Sequence, residues 1–155
     1  MTSPKRARAI ALAGGALGAS LTVMSLIIPW SFYGDIDISL YRFNGWPVYA
    51  ASAIALQVVV VSAQFLPGRR AQAAAGFVCA AVAVVSAVAL GSRYDNAPEF
   101  FDDVMPLMMV MPYPGPGSLA AVLAALANTA SLLLQPNRST LVNMARRLPS
   151  TAIQK

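Results

Sequence analysis

The chain has 155 residues, of which 57% are hydrophobic and only 11% charged; its formal net charge is +5 and its mean hydropathy +0.62. A soluble domain carries about 25% charged residues, so this composition argues against a water-soluble globular domain and fits one integral membrane domain spanning residues 1–155. With no histidine and a single cysteine, Cys79, the chain lacks the commonest metal ligand and general base near neutral pH and cannot form an intramolecular disulfide.

Lys5, Arg6 and Arg8 precede an uncharged run, residues 9–28. A basic start before an apolar run is also the pattern of a signal peptide, and Ala16-Leu17-Gly18 resembles a cleavage site. The run continues for ten residues beyond that site, so we read it as a retained first helix. A bilayer core is about 30 Å thick and a helix rises about 1.5 Å per residue, so about twenty residues make one crossing. Pro29-Trp30 closes the helix, and Trp30 is expected as an interface anchor.

Beyond it, Ile36, Ile38 and Leu40 alternate with Asp35, Asp37, Ser39 and Tyr41. A period of two predicts a strand, and Gly34-Asp35 predicts a hairpin with Ser31–Tyr33 as partner. Asn44-Gly45 is a second turn, and Trp46-Pro47 opens the next helix, with Trp46 as a further anchor.

Residues 47–66 and 71–90 are two uncharged twenty-residue runs separated by Pro67-Gly68-Arg69-Arg70. Pro67 and Gly68 break the helix, and Arg69 and Arg70 anchor the tip of a transmembrane hairpin. The connection over residues 92–117 follows. Asn96 is expected as an N-cap with Glu99 as its capping-box partner, opening a short helix over residues 97–105. Pro106 to Pro112 is apolar but too interrupted by proline to cross, and is expected to lie at the interface or over the bundle mouth. Residues 118–135 form the fourth crossing, and Pro136 stops it. The tail 136–155 carries Arg138, Arg146, Arg147 and Lys155. It reads either as a surface helix capped by Ser139, with Leu141, Met144, Ala145 and Leu148 on one face, or as a frayed tail.

The predicted fold is therefore an all-α membrane protein, a four-helix up-down bundle with a short β-hairpin in its first outer loop. Nine of the eleven basic residues fall at the N-terminus, the 69–70 turn and the tail, whereas all six acids fall in the other two loops. The positive-inside rule then places both termini in the cytoplasm of a multi-pass protein of the cell membrane. The basic residues are spent on threading, and no nucleic-acid partner is expected.

The sequence yields no catalytic, cofactor-binding or metal-ligating set. No Asp, Glu, Lys, Arg or His lies within a predicted crossing, which argues against a pump or a proton-coupled transporter. Asp95, Glu99, Asp102 and Asp103 lack a cation-loop spacing and read as a solvated acidic loop. Among uncharged polar residues, Gln57 and Asn128 sit near mid-crossing and are expected to make interhelical contacts, or else to line a solute path. Gly14, Gly15 and Gly18 share one side of the first helix, a face for packing against another helix or a partner subunit.

At Pro29-Trp30, the short outer strand, Gly45-Trp46 and Gly115-Pro-Gly117, the chain resembles small four-pass membrane proteins of actinobacteria. Nine Arg to two Lys, with abundant Ala, Val, Gly and Pro, agrees with a high-GC genome of a host or its phage. The layout is also similar to claudin-like proteins, without the cysteine pair of their first outer loop. From the residues we expect a non-enzymatic accessory or scaffold subunit, with the bilayer and other membrane subunits, or a second copy, as partners. The alternatives are a holin-like or exclusion protein of phage origin and a component of a transporter or channel for a small or lipidic solute.

Reporter fusions after Lys155 and within residues 68–70 should report cytoplasm, and fusions near Asn44 and Asp95 the exterior. An exterior signal at Lys155 would overturn the four-crossing reading.

Overall fold

The computed structural model describes residues 4–66, 69–101 and 111–135. Four long helices, α1 (Pro4–Ile27), α2 (Trp46–Phe65), α3 (Arg69–Gly91) and α5 (Pro116–Leu134), dominate it. Each is long and apolar enough to cross a membrane. Between α3 and α5 lies the four-residue helix α4 (Ala97–Phe100). Three short strands, β1 (Ser31–Tyr33), β2 (Ile36–Ile38) and β3 (Pro112–Pro114), form one antiparallel sheet in the order β2-β1-β3.

The helices start and stop where local chemistry dictates. α1 begins at Pro4, so Lys5, Arg6 and Arg8 lie inside its first turns rather than before it. Proline suits a first helical turn because its missing N–H has no partner there anyway. α2 follows Gly45, which takes a left-handed conformation (φ 96°) that a side chain would resist. α3 starts at Arg69, so both turn arginines belong to the helix; Arg70 is exposed, and the Pro67-Gly68 break lies outside the described residues.

Along the long helices many small residues lie inside and many large aliphatic ones outside. Ala53, Ala83, Ala87, Ala121 and Ala124 are buried, while Leu17, Ile54, Val85 and Leu126 are exposed. Outward-facing Leu, Ile and Val along four helices make an apolar surface far larger than a soluble monomer shows. Such a surface suits hydrocarbon, and the four helices suggest a membrane protein.

α1 packs chiefly along α5, α5 along α3, and α3 along α2, while α1 and α2 touch more sparsely. α1 and α5 run antiparallel: Ala11 lies beside Ser131 at one end and Pro29 beside Gly117 at the other. An aromatic core (Trp30, Tyr33, Phe43, Tyr49, Phe100) fills the sheet end. A smaller aliphatic one around Leu56, Val60 and Leu132 fills the other.

The hairpin has the expected partners and turn, with Tyr33 paired to Ile36 across Gly34-Asp35 and Gly34 at φ 60°, but its second strand ends at Ile38, short of the alternation expected to Tyr41, and Leu40–Arg42 form a 3-10 turn instead. The third strand departs from expectation. Residues 112–114 pair with β1, Phe32 opposite Tyr113. Proline lacks a ladder N–H and is confined to sheet edges, and β3 is an edge strand. The described part of the expected 97–105 helix is the turn 97–100; residues 102–110 and the whole tail from 136 lie outside the described residues, with the Ser139-capped helix expected there.

Trp30, expected at a bilayer interface, is wholly buried in the protein. Its indole Nε1–H donates to the Ser25 carbonyl at 2.7 Å. Its ring meets Tyr49 edge-on at 5.2 Å and Phe43 at 6.1 Å. Its backbone N–H donates to Ile38 at 2.9 Å, and its carbonyl accepts from Gly115 at 2.9 Å. One residue thus ties α1, both hairpin strands, α2 and the start of α5. Trp46 is half-buried and meets Tyr41 edge-on at 5.0 Å.

The indole also lies against Gly117, where a Cβ would overlap the ring. Gly117→Ala should lower thermal stability in detergent by about 1–3 kcal/mol, the usual range for overpacking. Gly14→Ala should be neutral or stabilising, because a Cβ there meets Ser131 Cβ at an ordinary 3.5 Å and alanine favours helix by up to ~1 kcal/mol over glycine. Equal effects of the two substitutions, read by thermal denaturation, would contradict this packing.

Candidate functional site: the polar seam between the first and last helices

The residues singled out inside the predicted crossings converge on one seam. On α1 the seam is built from residues three and four apart, which share a helix face: Ala11, Gly14, Gly15, Gly18, Thr22 and Ser25. On α5 it is built from Ala121, Ala124, Asn128 and Ser131, all buried. Polar groups appear at several levels along it.

At the level of Gly14 and Gly15, the Ser131 hydroxyl donates to the Ala11 carbonyl at 2.6 Å. A Cβ at Gly15 would lie 3.3 Å from both Ser131 Oγ and Val60 Cγ1, so α2 also closes on this glycine. One turn on, Gly18 lies flat against the Asn128 amide, and a Cβ would overlap it. The glycine face is therefore occupied inside the chain by α5 and α2. Of the two roles expected for this face, packing against a helix of the same chain is the one these contacts describe.

At the next level, the Thr22 hydroxyl donates to the Gly18 carbonyl at 2.8 Å and accepts from Gln57 Nε2 at 3.0 Å. Gln57 thus makes the expected interhelical contact, from α2 to α1. Near the sheet end, Ser25 Oγ donates to the Thr22 carbonyl at 2.7 Å and lies 2.5 Å from Tyr49 Oη. Thr22 and Ser25 were legible only as polar residues in the first crossing. Their i−4 and i−3 carbonyl acceptors are the usual way a hydroxyl is satisfied within a helix.

Asn128 differs. It is fully buried on the seam, yet neither Oδ1 nor Nδ2 has a hydrogen-bond partner among the described residues. The expected interhelical hydrogen bond of Asn128 is absent there; its contact with α1 is steric, through Gly18. An unpaired buried amide costs about 1–3 kcal/mol.

Beyond the seam, the Ser31 hydroxyl donates to the Tyr94 carbonyl at 2.6 Å, which holds the chain after α3 onto β1. The Tyr33 phenol is pushed up from its ordinary value, first by burial and then by the Asp95 carboxylate, and so stays neutral beneath the sheet. Among the described residues, no three His, Cys, Asp or Glu side chains gather as metal ligands would. Asp102 and Asp103 lie outside the described residues. What the seam does chemically is hold helices together; it places no nucleophile beside a base.

The two mid-helix amides should therefore respond differently. Gln57→Leu loses a made hydrogen bond and should destabilise the bundle by about 0.6–1.7 kcal/mol. Asn128→Leu relieves an unpaired amide and should leave thermal stability unchanged or raised. Marked destabilisation by Asn128→Leu alone would show that its amide is paired after all.

Comparison with known proteins finds no matching family model, no matching curated protein and no matching solved structure.

Proposed function

We propose that the chain is a non-enzymatic accessory or scaffold subunit of a larger complex in the cell membrane, threaded with both termini in the cytoplasm and the sheet outside. One observation carries this reading: a small sheet is fastened rigidly to one end of the bundle and presents side chains away from it. Three tethers support the rigidity: the Trp30 hydrogen bonds, the Gly117 N–H to the Pro29 carbonyl at 3.0 Å, and Ser31 to Tyr94. A rigid element is a better presenting surface than a loop. Next to it stands Met111, 91% exposed, a soft side chain of the kind that adapts to partners. The bilayer and other membrane subunits, or a second copy, are the partners, and no cofactor is invoked.

A transporter or channel component is the second reading, favoured by the unpaired amide of Asn128 beside Thr22 and Gln57. A phage-derived effector draws on size and topology alone. Affinity purification of the full chain from its native host in mild detergent should recover a defined larger membrane complex. Recovery of the chain alone, with solute flux in liposomes abolished by Asn128→Leu, would favour transport instead. Depolarisation or lysis of cells expressing the chain by itself would favour the effector.

A further inference from the structure

The inward side chains of the sheet, Ser31, Tyr33 and Ile38, are buried. Successive strand residues point to opposite faces, so the outward face is a single row across three strands: Asp37, Phe32 and Tyr113, paired in register. Phe32 and Tyr113 stack at 4.9 Å with their planes 20° apart. Tyr113 is 50% exposed, and Asp37 is exposed. A stacked aromatic pair ending in a carboxylate offers π-faces and an anion side by side.

We propose that this row binds an arginine-bearing segment of a partner protein, a reading that rests on the accessory-subunit function above. A guanidinium stacks on aromatic faces while its forked N–H donors address a carboxylate; an ammonium matches only the charge. The charge of the surroundings agrees. Among the described residues, the two connections at the sheet end carry Asp35, Asp37, Asp95 and Glu99 against Arg42 and Arg93, a net charge of −2 in a chain of +5. A second copy in the same membrane brings the same acidic end and keeps Lys5, Arg6, Arg8, Arg69 and Arg70 at the other end of its helices, so like charge opposes self-association through this face. Backbone addition to the β3 edge is blocked as well, since Pro112 and Pro114 have no N–H to donate. Recognition here therefore works through side chains.

The test uses the full chain in phosphatidylcholine nanodiscs, which carry no net lipid charge, and a fluorescent Gly-Arg-Gly-Arg-Gly peptide as probe, with its citrulline counterpart as the uncharged isostere. The arginine peptide should bind with Kd below about 1 mM, and the citrulline peptide at least about ten-fold more weakly. Asp37→Asn and Tyr113→Ser should each weaken binding several-fold while the chain still folds, Asp37→Asn without a change in thermal stability, and added salt should weaken binding further. No binding at 1 mM, equal affinity for both peptides, or insensitivity to Tyr113→Ser would overturn the proposal. Co-purification separates the two readings. A host complex that survives Asp37→Asn combined with Tyr113→Ser leaves the accessory function standing and the arginine row refuted. A complex lost in that variant supports both.

Discussion

Helix backbones can approach as closely as those of α1 and α5 only where side chains are missing from one of them. Along this seam a larger group on one helix meets a glycine on the other at successive levels: Ser131 against Gly14 and Gly15, Asn128 against Gly18, and Trp30 against Gly117. The last pair reverses the roles, with the glycine on α5 and the bulk after α1. The seam joins the first long helix to the last described one, so it closes the bundle. It also positions the sheet, because Trp30 and Gly115 are hydrogen-bonded at its upper end.

The four long apolar helices suggest a membrane protein, and the packing has the character expected of one. In hydrocarbon, burying leucine gains little, and helix association relies on close packing and a few polar contacts. Where the helices meet most closely the contacts are accordingly alanine, glycine and serine, while larger side chains fill the two cores at either end and many leucines, isoleucines and valines face out. Most interior hydroxyls answer to a carbonyl on their own helix, while Ser131 and Gln57 reach across. Exceptions among the described residues include the Tyr33 hydroxyl and, on the seam, Asn128, packed onto Gly18 with neither amide atom paired. At that level of the seam packing and hydrogen bonding conflict.

Much of this was legible in the sequence because it depends on local chemistry. Length and lack of charge located the four long helices to within a few residues. The alternation from Asp35 to Tyr41 and the Gly34-Asp35 turn located the hairpin and its register. The glycine side of α1 was legible as a packing face, but its occupant was not, since meeting Asn128 requires a register between segments a hundred residues apart. The third strand was hidden by Pro112 and Pro114, which ordinarily argue against a strand and are tolerated here because it is an edge. The burial of Trp30 was hidden for a similar reason. An interfacial tryptophan and a tryptophan buried at the end of a bundle look alike until the groups around it, Gly117 above all, are brought there by the fold.

The seam between α1 and α5 closes the bundle within one chain, and the rest of the packing depends on that closure. Its most direct test is a disulfide across the seam. A Cβ at Gly14 would stand 3.5 Å from Ser131 Cβ, within the range of about 3.5–4.5 Å that disulfides require. Gly14→Cys with Ser131→Cys, in a Cys79→Ala background, should oxidise in native membranes to an intramolecular cross-link, seen as two protected thiols in a monomer on a non-reducing gel. Free thiols at both positions, or a cross-linked dimer, would mean that the glycine face of α1 meets something other than its own α5.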